Sequence, residues 1–265
     1  MATLATLVTV YHGTNADDLQ RALDSLEAQT RPADELVIVV DGPLGEGVRG
    51  IVEKRDARVL WLPENVGAGP ASQAGLETIE ADYTARLDSD DAAKPERFAR
   101  QLEYMEAHPE CGALGSAVEE FASEPGDGGK VRALPENPHN YVKVNSPINN
   151  PSVMLRTRAV KEVGGYKDVH FMEDYDLYAR LIAGGWQVRN LPEALTYFQV
   201  TDAQFGRRTG REMFAAERQM QRNLVAYGLI GKPRAAFNLA ARTAYRALPA
   251  GLLRRVYAVL FHRGG

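Results

Sequence analysis

A single cysteine, Cys111, stands among 265 residues. That excludes an internal disulfide and any cysteine-built zinc site, and it fits a reducing compartment. No apolar run approaches the roughly 20 residues needed to cross a bilayer. The N-terminus lacks a basic stretch followed by an apolar signal core, so a cytoplasmic protein is expected. A Gly-Lys-Ser/Thr phosphate loop is also missing, and Gly67-Ala-Gly69 is not completed by the third glycine of a dinucleotide fingerprint. P-loop hydrolysis and nicotinamide-dependent redox chemistry are thereby set aside.

What is present is an ordinary globular composition, 45% hydrophobic, enough for a proper core. The net charge of −4 conceals an asymmetry. Residues 207–265 carry twelve Lys and Arg against two Glu, a net +10, which leaves −14 on residues 1–206. The expected organisation is a catalytic domain over 1–206 and a basic helical extension over 207–265. Because the extension is arginine-rich without interleaved aromatics, it points to an anionic membrane surface rather than nucleic acid.

Strands and helices alternate along the first part. Thr6-Leu-Val-Thr-Val-Tyr11 reads as a strand, followed by a helix capped by Asn15 or Asp17 with a stripe of Leu19, Ala22, Leu23 and Leu26. Leu36-Val-Ile-Val-Val40 is uninterrupted, as in a strand covered on both faces, and it ends at Asp41-Gly42. Arg58 to Leu62 is a third strand, then comes Asn65-Val-Gly-Ala-Gly-Pro-Ala71 and a helix to about Ala81. Tyr83-Thr-Ala-Arg-Leu87 is a fourth strand, and Lys94-Pro95-Glu96 opens a helix to His108 along Phe98, Leu102 and Met105. This alternation predicts an α/β fold with a mostly parallel sheet and right-handed crossovers. A strand follows over 112–121, residues 123–140 read as a mobile excursion, and 149–155 return to the sheet. Helices are expected over 211–227 and 232–248, and residues 251–262 have the pattern of an interfacial helix. That last face also suits packing on the catalytic domain or on another subunit.

The chemistry concentrates at strand ends. Asp88-Ser-Asp-Asp91 places three carboxylates in four residues after an apolar run. Taken alone it is also an acidic turn before a helix. In an open parallel sheet, however, such a turn faces the ligand crevice at the carboxyl edge. Oxygen ligands of this kind suit Mg²⁺ or Mn²⁺ shared with substrate phosphates. Tyr11 and Asp41 lie on the same edge and can hold a base by stacking and by accepting its N–H, while the turn at Asn65 and Gly67 lets backbone approach a ligand. Further on, Glu173 and Asp174 either cap the helix bearing Leu177, Leu181 and Ile182 or supply a general base, with Asp174 at the expected N-cap.

The order Tyr11, Asp41, Asn65-x-Gly67, Asp88-Ser-Asp-Asp91, Glu173-Asp174 resembles a family 2 glycosyltransferase of the GT-A fold, over residues 4–208. Asn149-Asn-Pro-Ser-Val-Met-Leu155, Val163-Gly-Gly-Tyr166 and Met172 to Arg180 are most similar to bacterial enzymes that build exopolysaccharide or surface glycans. The resemblance implies a nucleotide-sugar donor, a glycan or polyprenyl-linked acceptor, and Mn²⁺ or Mg²⁺. It implies Tyr11 and Asp41 at the base, Asp88 near the ribose or diphosphate, Asp90 on the metal with Asp88 and Asp91 beside it, and Asp174 as the base with Glu173. Gln204-Phe-Gly-Arg-Arg208 is similar to a motif that meets the diphosphate, which implies phosphate contacts for Arg207 and Arg208. Gln73 stands where many relatives have Asn, and His170 reads as structural or acceptor-side rather than as a metal ligand. Two other readings stay open at this point: a sugar nucleotidyltransferase, which shares a related sheet, and a non-catalytic nucleotide-sugar-binding protein.

Overall fold

The computed structural model describes residues 2–200 and 211–246. Strand β2 (Glu35–Asp41) shows why its run is apolar throughout: Ile38 and Val40 enter one core, Val37 and Val39 another on the opposite face. It pairs in parallel with β1 (Leu4–Tyr11) and β3 (Arg58–Leu62), and β1 pairs in parallel with β4 (Tyr83–Asp88). Helices α1 (Ala16–Glu27) and α2 (Glu46–Glu53) connect the first three strands, and α3 (Ala68–Thr78) leads to β4. Asn15 is the cap of α1, accepting from the backbone N–H of Asp17 and Asp18 at 2.9 and 3.1 Å.

Beyond β4 the sheet becomes mixed. Its order is β3-β2-β1-β4-β8-β6-β9-β5, with β7 (Val131–Arg132) on β6 (Cys111–Phe121). Here β5 is Ala92–Ala93, β8 is Met154–Arg156 and β9 is Gln187–Gln199. Strand β8 runs antiparallel to β4 and β6, whereas β6 and β9 are parallel. Helices α4 (Arg97–Ala107), α5 (Thr157–Glu162) and α6 (Glu173–Ala183) complete this half.

Several boundaries differ from expectation. Helix α3 ends at Thr78, and α4 begins at Arg97, so Pro95 precedes the helix; its carbonyl accepts from Thr30 N instead. Strand β9 had no forecast, and its register with β6 skips Pro192 and Glu193 between Leu191 and Ala194. A proline cannot donate to a ladder, so the strand bulges there. Residues 123–140 are better tied than a mobile excursion. They contribute β7, Arg132 lies over the Phe198 ring at 4.4 Å, and Asn190 holds Pro135 O and Pro147 O, both at 2.9 Å. The Asn149-Asn-Pro-Ser152 segment forms a 3₁₀ turn; Ser152 Oγ donates to Ser116 O and Asn149 Nδ2 reaches the same carbonyl.

Helices α7 (Arg211–Ala226) and α8 (Lys232–Arg246) lie where the basic extension was expected to be helical. Met213, Ala216, Met220 and Leu224 of α7 pack with Tyr175 and Ala179 of α6 and with Met172 just before it. At the centre of this contact Asp176 is fully buried, bonded to Arg180 Nε, Asn223 Nδ2 and Tyr227 OH at 2.7 Å each. Arg180 in turn donates to Val163 O and Gly165 O. Replacing Asp176 by Ala leaves a buried guanidinium without its anion, so urea unfolding should show a loss of about 3–5 kcal/mol. A loss below about 1 kcal/mol, the size of an exposed pair, would show that the network does not anchor α7.

Candidate active site

The parallel register decides which residues meet. Tyr11 lies opposite Asp41 at the ends of β1 and β2, and Asp88 lies opposite Thr9 at the end of β4. Carboxyl ends of parallel strands share one edge, so the groups the sequence scattered over 78 positions, from 11 to 88, are neighbours there. The turn after β1 joins them: Thr14 Oγ1 accepts from Tyr11 N at 3.1 Å and lies 3.4 Å from Ser89 Oγ.

Asp41, expected to face a ligand, is 4% exposed. Its Oδ1 accepts from Val66 N at 2.7 Å and its Oδ2 from Gly67 N at 3.1 Å, while Asn65 Nδ2 donates to Asp41 O. This carboxylate thus fixes the Asn65-x-Gly67 turn. Gly67 has φ +92°, a left-handed value that favours glycine, so the turn is shaped by that residue as well.

The acidic cluster splits into two environments. Asp88 and Asp90 are part-exposed at the strand end. Asp91 is 1% exposed; its Oδ1 accepts from Gln199 N at 2.8 Å and its Oδ2 has no hydrogen-bond partner among the described residues. Burial, reinforced by Asp90 and Asp88, pushes its carboxyl well above the usual range, so Asp91 braces the turn against β9. Among the described residues no three His, Cys, Asp or Glu side chains converge as a ready-made metal cage. Two part-exposed carboxylates at a crevice nevertheless fit Mg²⁺ or Mn²⁺, which take one or two carboxylates and complete their shell from water and substrate phosphates.

Beneath the cluster lies a residue the sequence reading passed over. Arg86, 5% exposed in the middle of β4, donates to Asp88 Oδ1 through Nε at 3.3 Å and Nη2 at 3.2 Å. It also donates to Ser72 Oγ of α3 and lies 5.9 Å from the Tyr166 ring centre. Burial opposes its charge, but Asp88, Tyr166, Glu173 and Tyr178 hold it firmly protonated. The signal was available: a cation in an otherwise apolar strand needs anions nearby.

Those anions include the second pair. Helix α6 starts at Glu173 with Met172 at the N-cap, so Asp174 lies in the first turn, not at the cap, and its Oδ1 accepts from Tyr175 N at 2.7 Å. Glu173 and Asp174 there meet the positive end of the helix dipole. Burial first, then repulsion from Glu173, raises Asp174 to about 7, opposed by Arg86; burial likewise raises Glu173. Close packing brings this helix to the residues just after the Asn65-x-Gly67 turn: a Cβ at Gly69 would lie 2.7 Å from Lys167 O and 3.1 Å from Glu173 Cβ. Gln73 clamps the same segment, accepting from Tyr166 N at 2.7 Å. Arg207, Arg208 and the 251–262 segment lie outside the described residues.

The model of glycosyl transferase family 2 matches residues 6–160, more than half of the chain. The chain belongs to that family. The amylovoran biosynthesis glycosyltransferase AmsE of Erwinia amylovora is 32% identical over 95% of this chain and 96% of its own length. The UDP-Gal:alpha-D-GlcNAc-diphosphoundecaprenol beta-1,3-galactosyltransferase of Escherichia coli is 27% identical over 97% of this chain and 96% of its own. Among solved structures, S. aureus TarS 1-349 in complex with UDP superposes with a TM-score of 0.67 at 16% identity, covering 97% of this chain and 79% of that one, a likeness of fold. The protein is thus a glycosyltransferase with the GT-A fold, and the nucleotidyltransferase and non-catalytic readings are displaced.

The raised carboxyl of Asp174 has a consequence for this glycosyltransferase. A group that holds its proton more tightly when folded contributes stability that is complete below its ordinary value of 3.8 and disappears as pH rises through about 7. Asp174→Asn should flatten the stability–pH slope across that window and leave the variant more stable than wild type at about pH 8. Urea unfolding at several pH values measures it; an unchanged slope would show that Asp174 titrates as an ordinary aspartate.

Proposed function

We propose that this glycosyltransferase moves a hexose from a UDP- or dTDP-linked donor to a hydroxyl of a glycan or polyprenyl-linked acceptor, with inversion, in bacterial surface polysaccharide synthesis. The observation that carries the reading is the meeting of three elements on one sheet edge: the Asp41-held turn, the Asp88 and Asp90 end of β4, and the Glu173-Asp174 start of α6. The similarity to enzymes named for amylovoran and for a diphosphoundecaprenol-linked sugar supports the substrate class.

In this reading Tyr11 lies against the nucleotide base with Asp41 behind it, and the backbone from Asn65 to Gly67 approaches the donor. Asp88 and Asp90 would hold Mn²⁺ or Mg²⁺ with Asp91 bracing them. When bound, the ion neutralises charge on the leaving diphosphate. Arg207 and Arg208 grip the diphosphate. Asp174, aided by Glu173, accepts the proton of the attacking acceptor hydroxyl, a task suited to a carboxylate poised near 7. Arg86 holds Asp88 in place and favours the ionised base. No helix of the described residues is long and apolar enough to cross a membrane. We place the enzyme in the cytoplasm, with the amphipathic segment 251–262 docked on the anionic inner face of the membrane beside its acceptor.

Calorimetric titration with UDP, dTDP and GDP, with and without Mn²⁺, tests the crevice. One nucleotide should bind in a metal-dependent manner, and Asp90→Asn should abolish that dependence. Asp174→Asn should bind the nucleotide as wild type does while transfer falls by about 10²-fold or more. Absence of binding by all three nucleotides would refute the donor site, and undiminished transfer in Asp174→Asn would remove the base assignment.

A further inference from the structure

Among the described residues, Phe171 is the one non-glycine with a positive φ, +62°. A bulky side chain is rarely found in that region, where Cβ crowds the following carbonyl. Such strain persists only where the surroundings impose it. Here both flanks do. Val169 and Met172 are each 6% exposed and belong to the cluster formed by Tyr175, Met213 and Met220. Val169 N donates to Lys167 O and Met172 N to Val169 O, at 2.9 and 2.8 Å, which closes the backbone into a tight double turn. His170 and Phe171 are therefore driven outward. Their rings touch, with centroids 3.8 Å apart and planes at 41°, and both residues are exposed, Phe171 by 39%.

A glycine at 171 would relieve the backbone, and the phenylalanine kept there stays outside the cluster of Val169 and Met172, with 39% of its surface open to solvent. The position explains more. Residue 171 is two before Glu173 and three before Asp174. Lys167 of the same loop closes on Gly69, just after the Asn65-x-Gly67 turn. An exposed aromatic pair thus just precedes the carboxyl pair, on the loop whose Lys167 closes on Gly69.

We infer that Phe171 and His170 form the acceptor ledge of the active site, the Phe171 ring stacking on the C–H face of the pyranose that presents the attacking hydroxyl. The negative face of an aromatic ring attracts the positively polarised C–H bonds of a sugar, and the neighbouring imidazole supplies a hydrogen-bonding edge for its hydroxyls. The inference rests on the sugar-transfer reading above, and it assigns acceptor recognition to two side chains outside the acidic motifs.

Saturation-transfer NMR on the full chain with the methyl glycosides of glucose, galactose, mannose and N-acetylglucosamine tests it, with nucleotide calorimetry on the same samples. At least one glycoside should receive saturation on its ring C–H protons. The signal should fall about three- to tenfold in Phe171→Gly and be kept in Phe171→Tyr. Phe171→Gly should bind nucleotide as wild type does. No glycoside contact in wild type, or contact unchanged in Phe171→Gly, with nucleotide binding intact, would overturn the ledge alone. Loss of nucleotide binding in wild type would instead refute the sugar-transfer reading beneath it.

Discussion

A guanidinium sealed inside a strand needs acceptors fixed around it, and at Arg86 that demand organises the active edge. Arg86 reaches Asp88 directly, binds Ser72 of α3, and lies close enough to Glu173 and Asp174 to bias their titration. Removing a buried cation from water costs several kcal/mol unless its partners are fixed. The donor-side carboxylate, the helix after the glycine turn and the start of α6 are therefore held in one electrostatic unit. One positive charge among three carboxylates does not neutralise them all. The surplus, together with burial, is what lifts Asp174 to about 7.

The rest of the fold serves to bring these elements together. Parallel pairing aligns the carboxyl ends of β1, β2 and β4, so a residue placed last in each strand becomes a neighbour of the others. Close backbone approach does the same for the helices, since Gly69 admits Lys167 O and Glu173 Cβ at distances that a side chain would forbid. On the far side of α6, Asp176 and Arg180 connect the base helix to α7 and to the Gly164-Gly165 turn. The basic extension is thus bonded to the same helix that carries the proposed base.

Much of this was legible in the sequence, and the gaps have physical causes. Strand β2 announces itself because both faces are covered, which forces a near-continuous apolar run. The acidic cluster stood out because repelling charges after such a run call for an explanation. Strand β9 was missed because Pro192 breaks its pattern, and the chain answers with a bulge that no local rule forecasts. For Asp41 the sequence shows a carboxylate at a strand end but not the two N–H groups of residues 66 and 67 that it also holds. Arg86 was read only as part of an alternating strand. The strain at Phe171 lies beyond any composition-based reading, since it arises from the anchoring of Val169 and Met172 in a core built by distant segments.

The base assignment rests on Asp174 at the start of α6, whose carboxyl is raised by burial to about 7. Carboxyl ¹³C NMR of the labelled full-length enzyme, titrated with pH and assigned with Asp174→Asn, measures this directly. The account predicts that the resonance lost in that variant titrates near 7 in the wild type. A resonance that completes its titration below about pH 5, as an ordinary aspartate does, would contradict it.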